Sequence, residues 1–191
     1  MEIALSWDLM VMIVFVVILS YSYIVGLNGT LKIIISAYIA MLAANGIGNL
    51  AAKYITLSEP LIKILSNDPE ENVIIFKIFI FIIITLILVL KGGFIIDIGR
   101  NDPLLTRFVI TSIFGILTGG LIMSTMLLFV ANVEISSNMV DAIQDALNIP
   151  ENTLFIHFLF KYCNFWFAAP AVAFVVISVV SPYNPAPIIE E

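Results

Sequence analysis

The sequence predicts an all-α fold: a polytopic transmembrane helical bundle of about five spans, with two short interfacial amphipathic helices. Three observations predict it. The 191-residue chain is 61% hydrophobic and only 12% charged, whereas an ordinary soluble domain has about 25% charged residues. Too few polar residues remain to cover a water-facing surface, so lipid must face most of it. The apolar residues also gather into runs of spanning length: a crossing helix needs about 20 of them, because each rises about 1.5 Å through a hydrocarbon core about 30 Å thick.

The first charge-free run is 9–31, with its apolar body ending near Tyr23, which places a span near 9–25. The chain opens Met1-Glu2-Ile3-Ala4, without the basic region of a signal peptide, so the run reads as a retained helix. Gly26-Leu27-Asn28-Gly29 then forms a turn into a second span, 33–52. In the segment that follows, Ser58 caps a short helix whose apolar residues Leu61, Ile62, Ile64 and Leu65 oppose Lys63. The third span, 73–90, carries Lys77 about one turn inside its start, where a lysine can reach the headgroups.

Asn101-Asp102-Pro103 breaks any helix in the next connection. The fourth span, 108–133, exceeds the required length and should tilt or project. A second amphipathic segment starts at Ser137, with Val140, Ile143 and Leu147 on one side and Asp141, Gln144, Asp145 and Asn148 on the other. Both amphipathic segments read as helices lying in the membrane interface, or as ordinary helical loops. Residues 153–162 are either an interfacial prelude, the reading that puts Lys161 at the headgroups, or the start of a long last helix kinked at Pro170. The last span is 162–180. Residues 1–181 thus form one transmembrane domain, and the Pro-rich tail 182–191 should be extended and mobile.

Several functions are argued against. The single Cys163 rules out an intrachain disulfide and a cysteine metal cage. A net charge of −6 with 8 dispersed Lys and Arg argues against nucleic acid. His157 is the only histidine, so no histidine pair holds a metal. With Cys163 it makes a weak nucleophile-and-base pair, and aromatic interface packing is the preferred reading. No Walker loop, zinc motif or nucleophile elbow occurs. The expectation is a non-enzymatic protein with no catalytic residue, metal or cofactor and no identified small-molecule substrate. Transporters usually place ionisable residues in mid-span; here Asp8, Lys77 and Glu134 lie at or near span ends. Asn45 and Asn49 read as interhelical hydrogen-bonding groups or as residues close to the headgroups. Asp97, Arg100, Asp102 and Arg107 read as surface ion pairs marking the membrane boundary.

The most specific pattern is a stripe of small residues in the second span: Ser36, Ala40, Ala44, Gly48 and Ala52, four apart and therefore on one helix face. In lipid, helices associate by close packing, and small residues let backbones approach. The fourth span has Thr111, Gly115 and Gly119 at the same spacing, with Ser112, Gly120 and Ser124 alongside. The expectation is that these two spans pack on each other, or each on a second copy.

Trp7-Asp8 entering the first span, the Gly26-x-x-Gly29 turn before a small-residue helix, and Phe114-Gly115-Ile116-Leu117-Thr118-Gly119-Gly120-Leu121 in a later span together resemble the colicin V production protein family, the CvpA-like membrane proteins. The resemblance covers roughly residues 7 to 131. Where the family turn carries arginine or lysine between its glycines, this chain has Leu27 and Asn28. The resemblance implies a bacterial inner-membrane protein associated with toxin export and cell-envelope integrity, with Asp8, Gly26 and Gly29 as family-motif residues. The rival expectations are a small anchoring or scaffold subunit of a larger complex, and a small-solute transporter or oligomeric channel. The expected partners are the lipid bilayer and either a second copy or another membrane protein. Under five spans the basic residues tie between the two sides. The compact loop with Lys91, Arg100 and Arg107 reads as cytoplasmic, placing the N-terminus outside and the C-terminus in the cytoplasm.

Overall fold

The structure, a computed structural model, describes residues 7–55, 69–92, 103–133 and 154–180. The two amphipathic segments, the 93–102 connection with Asp97, Arg100 and Asp102, and the tail lie outside the described residues. Those described are helical: α1 (Trp7–Ile55), α2 (Pro69–Lys91), α3 (Leu104–Val130), α4 (Leu154–Lys161) and α5 (Cys163–Val180). Four of these are long and apolar enough to cross a membrane.

Helix α1 is 49 residues long, which as a straight rod would reach about 73 Å. It is not straight. Gly26 has φ 76° and ψ −178°, a region of backbone space open essentially to glycine alone. The Thr30 hydroxyl donates to the Gly26 carbonyl at 2.9 Å and lies only 3.4 Å from the Ser22 carbonyl, eight residues away, which a straight helix would hold about 12 Å apart.

Contacts with α3 give the directions of the two halves. Before Gly26, Tyr23 meets Ser112, Leu19 and Ser22 meet Gly115, and Phe15 meets Gly119, so residue numbers fall on α1 as they rise on α3. After Gly26, which lies beside Arg107, Met41 meets Thr125, so the numbers rise together. The two halves are antiparallel to each other, and α3 is packed by both. The expected four-residue turn is therefore a one-residue break. Leu27, Asn28 and Gly29 already belong to the second half, because a single glycine in this conformation supplies the whole reversal.

Helix α3 is the centre. Of its most apolar stretch 72% is buried, against 17% for the corresponding stretches of α1, α2 and α5. It starts at Leu104, directly after Pro103, which has an extended backbone (φ −55°, ψ 145°). Its end is a Schellman closure: Asn132 adopts φ 51°, its N–H donates to the Phe129 carbonyl at 3.0 Å, and the Val133 N–H donates to the Leu128 carbonyl at 3.2 Å. The helix thus covers Leu104–Val130, where the sequence predicts a span at 108–133. Helix α2 lies against the second half of α1 and the end of α3, with Lys77 beside Gly48 and Phe81 edge-on to Phe129 at 5.9 Å.

Helices α4 and α5 are nearly continuous. Across Tyr162 the helical hydrogen bonds persist, Tyr162 N–H to the Phe158 carbonyl and Trp166 N–H to the Tyr162 carbonyl. Ile156, Leu159, Phe160, Cys163 and Trp166 are all buried and form one stripe. Residues 154–162 therefore pack one face on the bundle, while Phe155, Phe158 and Tyr162 stay exposed on the other.

Gly26→Val should destabilise the protein by about 1–3 kcal/mol, because a β-branched residue cannot adopt this φ and ψ without strain. Thermal unfolding in detergent micelles measures it, and a variant as stable as the parent would contradict the hairpin.

Candidate functional site: the hairpin, the Asp8 clamp and the glycine seats

Gly26 and Gly29 have separate tasks. Gly26 supplies the positive φ. Gly29 supplies room: the Val25 side chain occupies the space a Cβ on Gly29 would take, because the break throws residue 25 back onto the next turn. Arg107 lies over the break, its Nη2 3.6 Å from where a Cβ on Gly26 would be. A cation there faces the carbonyl end of the first half, which carries partial negative charge. Tyr23 stacks on Phe108, with centroids 5.0 Å apart and an interplanar angle of 18°. Its hydroxyl lies 2.6 Å from the Ser112 hydroxyl. Since Ser112 donates its own proton to the Phe108 carbonyl at 2.8 Å, Tyr23 is the donor.

At the other end, one Asp8 carboxylate oxygen accepts from the backbone N–H groups of Phe155 at 3.1 Å and Ile156 at 3.2 Å. These are the second and third residues of α4, whose N–H groups lack helical partners and are usually met by a local cap. Asp8 lies in the first turn of α1, so it caps a helix almost 150 residues away in sequence. It clamps the start of α1 to the start of α4.

Between the two ends, the glycines of α3 act as seats. A Cβ on Gly115 would lie 2.8 Å from Leu19 and 3.1 Å from Ser22; one on Gly119 would lie 3.0 Å from the Phe15 ring. Gly120 lies under the Trp166 ring. Trp166 is in turn edge-on to Phe15, Phe158 and Phe165. The Gly115 and Gly119 surface therefore receives the first half of α1, not the small stripe of the second half. A glycine notch is filled best by a large side chain, and the hairpin brings the first half onto α3.

In the stripe itself, Ser36, Ala40 and Ala44 are fully buried, Gly48 is buried and Ala52 half-buried. Gly48 receives the stem of Lys77. That lysine is buried, 7% exposed, where sequence position suggested a side chain reaching outward. The missing Cβ at Gly48 makes the room.

Sequence reasoning missed the partners: Phe15, Leu19, Tyr23, Val25 and Trp166. It also missed Tyr38, whose hydroxyl donates to the Phe167 carbonyl at 2.6 Å, beside Pro170 in α5. A proline inside a helix disturbs the backbone hydrogen bonds of the preceding turn, and in a membrane a neighbouring helix can supply the replacement. Pro170 was the legible signal for such a donor.

Among the described residues, no group of three His, Cys, Asp or Glu is placed to hold a metal ion. Cys163 is buried and unpaired, and His157 is half-buried one turn from α4's start. No protein-family model, curated protein or solved structure matches the chain.

Two outcomes follow. Replacing Gly115 and Gly119 together with leucine should lower stability by about 1–3 kcal/mol through overpacking, read as a lower midpoint of thermal unfolding; an unchanged midpoint would count against the seats. Asp8→Ala should cost about 1 kcal/mol and Asp8→Asn less, since asparagine keeps a capping oxygen. Hydrogen exchange at Phe155 and Ile156 should rise in Asp8→Ala and stay near the parent rate in Asp8→Asn.

Proposed function

We propose that the chain is a non-enzymatic integral membrane protein that crosses the bilayer five times and works as a packed scaffold for other membrane or envelope proteins. The five crossings rest on the Gly26 reversal, which makes the two halves of α1 separate passes. They hold 19 and 29 residues, about 28 Å and about 43 Å long. Helices α2 and α3 and the α4–α5 unit supply the other three.

The observation that carries the scaffold reading is where the span hydroxyls point. Ser22, Ser112, Thr118, Thr125 and Ser178 each donate to the carbonyl four residues earlier in their own helix. A conducting path would use such groups as lining; here they are turned back onto the backbone. The glycine seats are filled with aromatic and aliphatic side chains, which favours a close-packed interior.

The resemblance to the CvpA-like family gives this scaffold its role: support of toxin secretion or cell-envelope homeostasis in a bacterial inner membrane, with the N-terminus outside and the C-terminus cytoplasmic. A second reading is a small anchoring subunit of a larger complex. A third, a small-solute transporter or oligomeric channel, is favoured by the buried Lys77, since an ionisable group inside a span is often functional.

Alkaline carbonate should leave the chain in the membrane pellet. A cytoplasm-active reporter fused after Glu191 should be active and one fused before Met1 silent. Active reporters at both ends would overturn the odd number of crossings. Pull-down from native membranes should recover envelope proteins, and a fixed stoichiometric partner would favour the subunit reading instead. Saturable solute flux in liposomes, lost in Lys77→Met, would favour the transporter.

A further inference from the structure

Arg107 is an exposed cation in apolar surroundings. Its Nη2 lies beside the Gly26 break, and the residue is exposed. Among the described residues it forms no ion pair and donates no side-chain hydrogen bond. Leu104, Arg107 and Phe108 stand at i, i+3 and i+4 on α3 and so share one face. Leu104 is 87% and Phe108 58% exposed, and Ile24, two residues before the break, is 82% exposed. Tyr23, stacked on Phe108, joins this patch to α1.

Depth decides what meets the guanidinium. The first half of α1 holds 19 residues and is about 28 Å long, close to a hydrocarbon core about 30 Å thick. When it spans that core, Gly26 lies at the edge. Arg107, over Gly26, then lies at the boundary between acyl chains and headgroups. An arginine there lays its stem along apolar surface and carries its charge outward. Its planar guanidinium matches a phosphate with two parallel N–H donors.

We propose that Arg107, on the Gly26 hairpin beside Ile24, Leu104 and Phe108, binds the phosphate of an anionic phospholipid whose acyl chains lie on those three apolar residues. The proposal rests on the reading that the chain spans a bilayer. Charge selects the ligand. Among the described residues the charges at this end are all positive: Arg107, Lys32 near the start of the second half of α1, and Lys91 at the end of α2. The opposite end is mixed, with Asp8 and Glu71 as well as Lys161. A zwitterionic headgroup holds its own cation against its phosphate, whereas an anionic one takes its cation from the protein. Basic residues near a membrane surface attract anionic lipid, each adding to the others. The rival anions are the chain's own carboxylates: Asp97 and Asp102 precede α3, and Glu190 and Glu191 follow α5.

The test uses the full chain. Membrane retention after carbonate is checked first; loss from the pellet would sink the spanning reading by itself. Thermal unfolding in a neutral detergent is then followed as phosphatidylglycerol, phosphatidylcholine or inorganic phosphate is added. Phosphatidylglycerol should raise the midpoint, and the other two should leave it in place. Arg107→Gln should weaken the apparent affinity for phosphatidylglycerol about tenfold, while Arg107→Lys keeps most of it. Each variant is compared with its own lipid-free midpoint, so a less stable Arg107→Gln chain still reports. A chain with Asp97→Asn, Asp102→Asn, Glu190→Gln and Glu191→Gln should bind at least as tightly as the parent. Equal responses to the two lipids, a response to inorganic phosphate alone, or an affinity unchanged in Arg107→Gln would overturn the proposal. So would a parent chain that responds only once the four carboxylates are replaced, because its arginine is then held by its own chain.

Discussion

Gly26 holds a backbone conformation that only glycine accepts readily, and most of the tertiary contacts depend on it. Without the reversal, the 49 residues of α1 would form a rod far longer than a bilayer is thick. With it, Phe15, Leu19 and Ser22 come down one side of α3 while Met41 comes up another. The local strain is offset across the whole hairpin: Thr30 donates to the Gly26 carbonyl beside that of Ser22, Val25 fits beside Gly29, and Arg107 faces the broken helix end. A conformation so restricted persists only where its surroundings over-determine it.

Lipid removes the usual driving force for burying an apolar side chain, so helix contact here depends on fit. The structure achieves fit by putting large groups on missing ones. Trp166 sits over Gly120, Phe15 over Gly119, Leu19 over Gly115 and the Lys77 stem over Gly48. Polar groups follow the same economy of space. The hydroxyls of Ser22, Thr30, Ser112, Thr118, Thr125 and Ser178 return to their own backbone, and Tyr38 reaches the Phe167 carbonyl near Pro170. These arrangements favour a bundle that holds one shape, which suits a protein acting through its surfaces.

The bundle is closed at opposite ends by different chemistry. At one end a glycine break is covered by a cation and a tyrosine–phenylalanine stack. At the other, a single carboxylate joins the first turn of the first helix to the first turn of the penultimate one. The Asp8 contact could not be found from sequence spacing, because a cap is normally read from the residues just before its helix. Its legible trace was an acidic residue at the mouth of a span, where an unpaired charge needs a reason.

The sequence by itself determined that this is a helical chain built for lipid, because composition and run length leave no other solvent for its surface. It also marked Gly48, Gly115, Gly119 and Gly120 as points of close approach, since a missing side chain is visible in the sequence, and Gly26 and Gly29 as a turn. What fills each space was decided only by the tertiary structure. Pairing depends on helix direction, and direction here turns on one pair of dihedral angles at Gly26. The same pair of angles put the first half of α1, rather than the small stripe, against α3, and left Asn45 and Asn49 on the arc that α3 does not cover. Which face of residues 154–162 meets the bundle was likewise decided by packing. Their aromatic composition does not mark a face, and packing buries the stripe from Ile156 to Trp166 while Phe155, Phe158 and Tyr162 stay exposed.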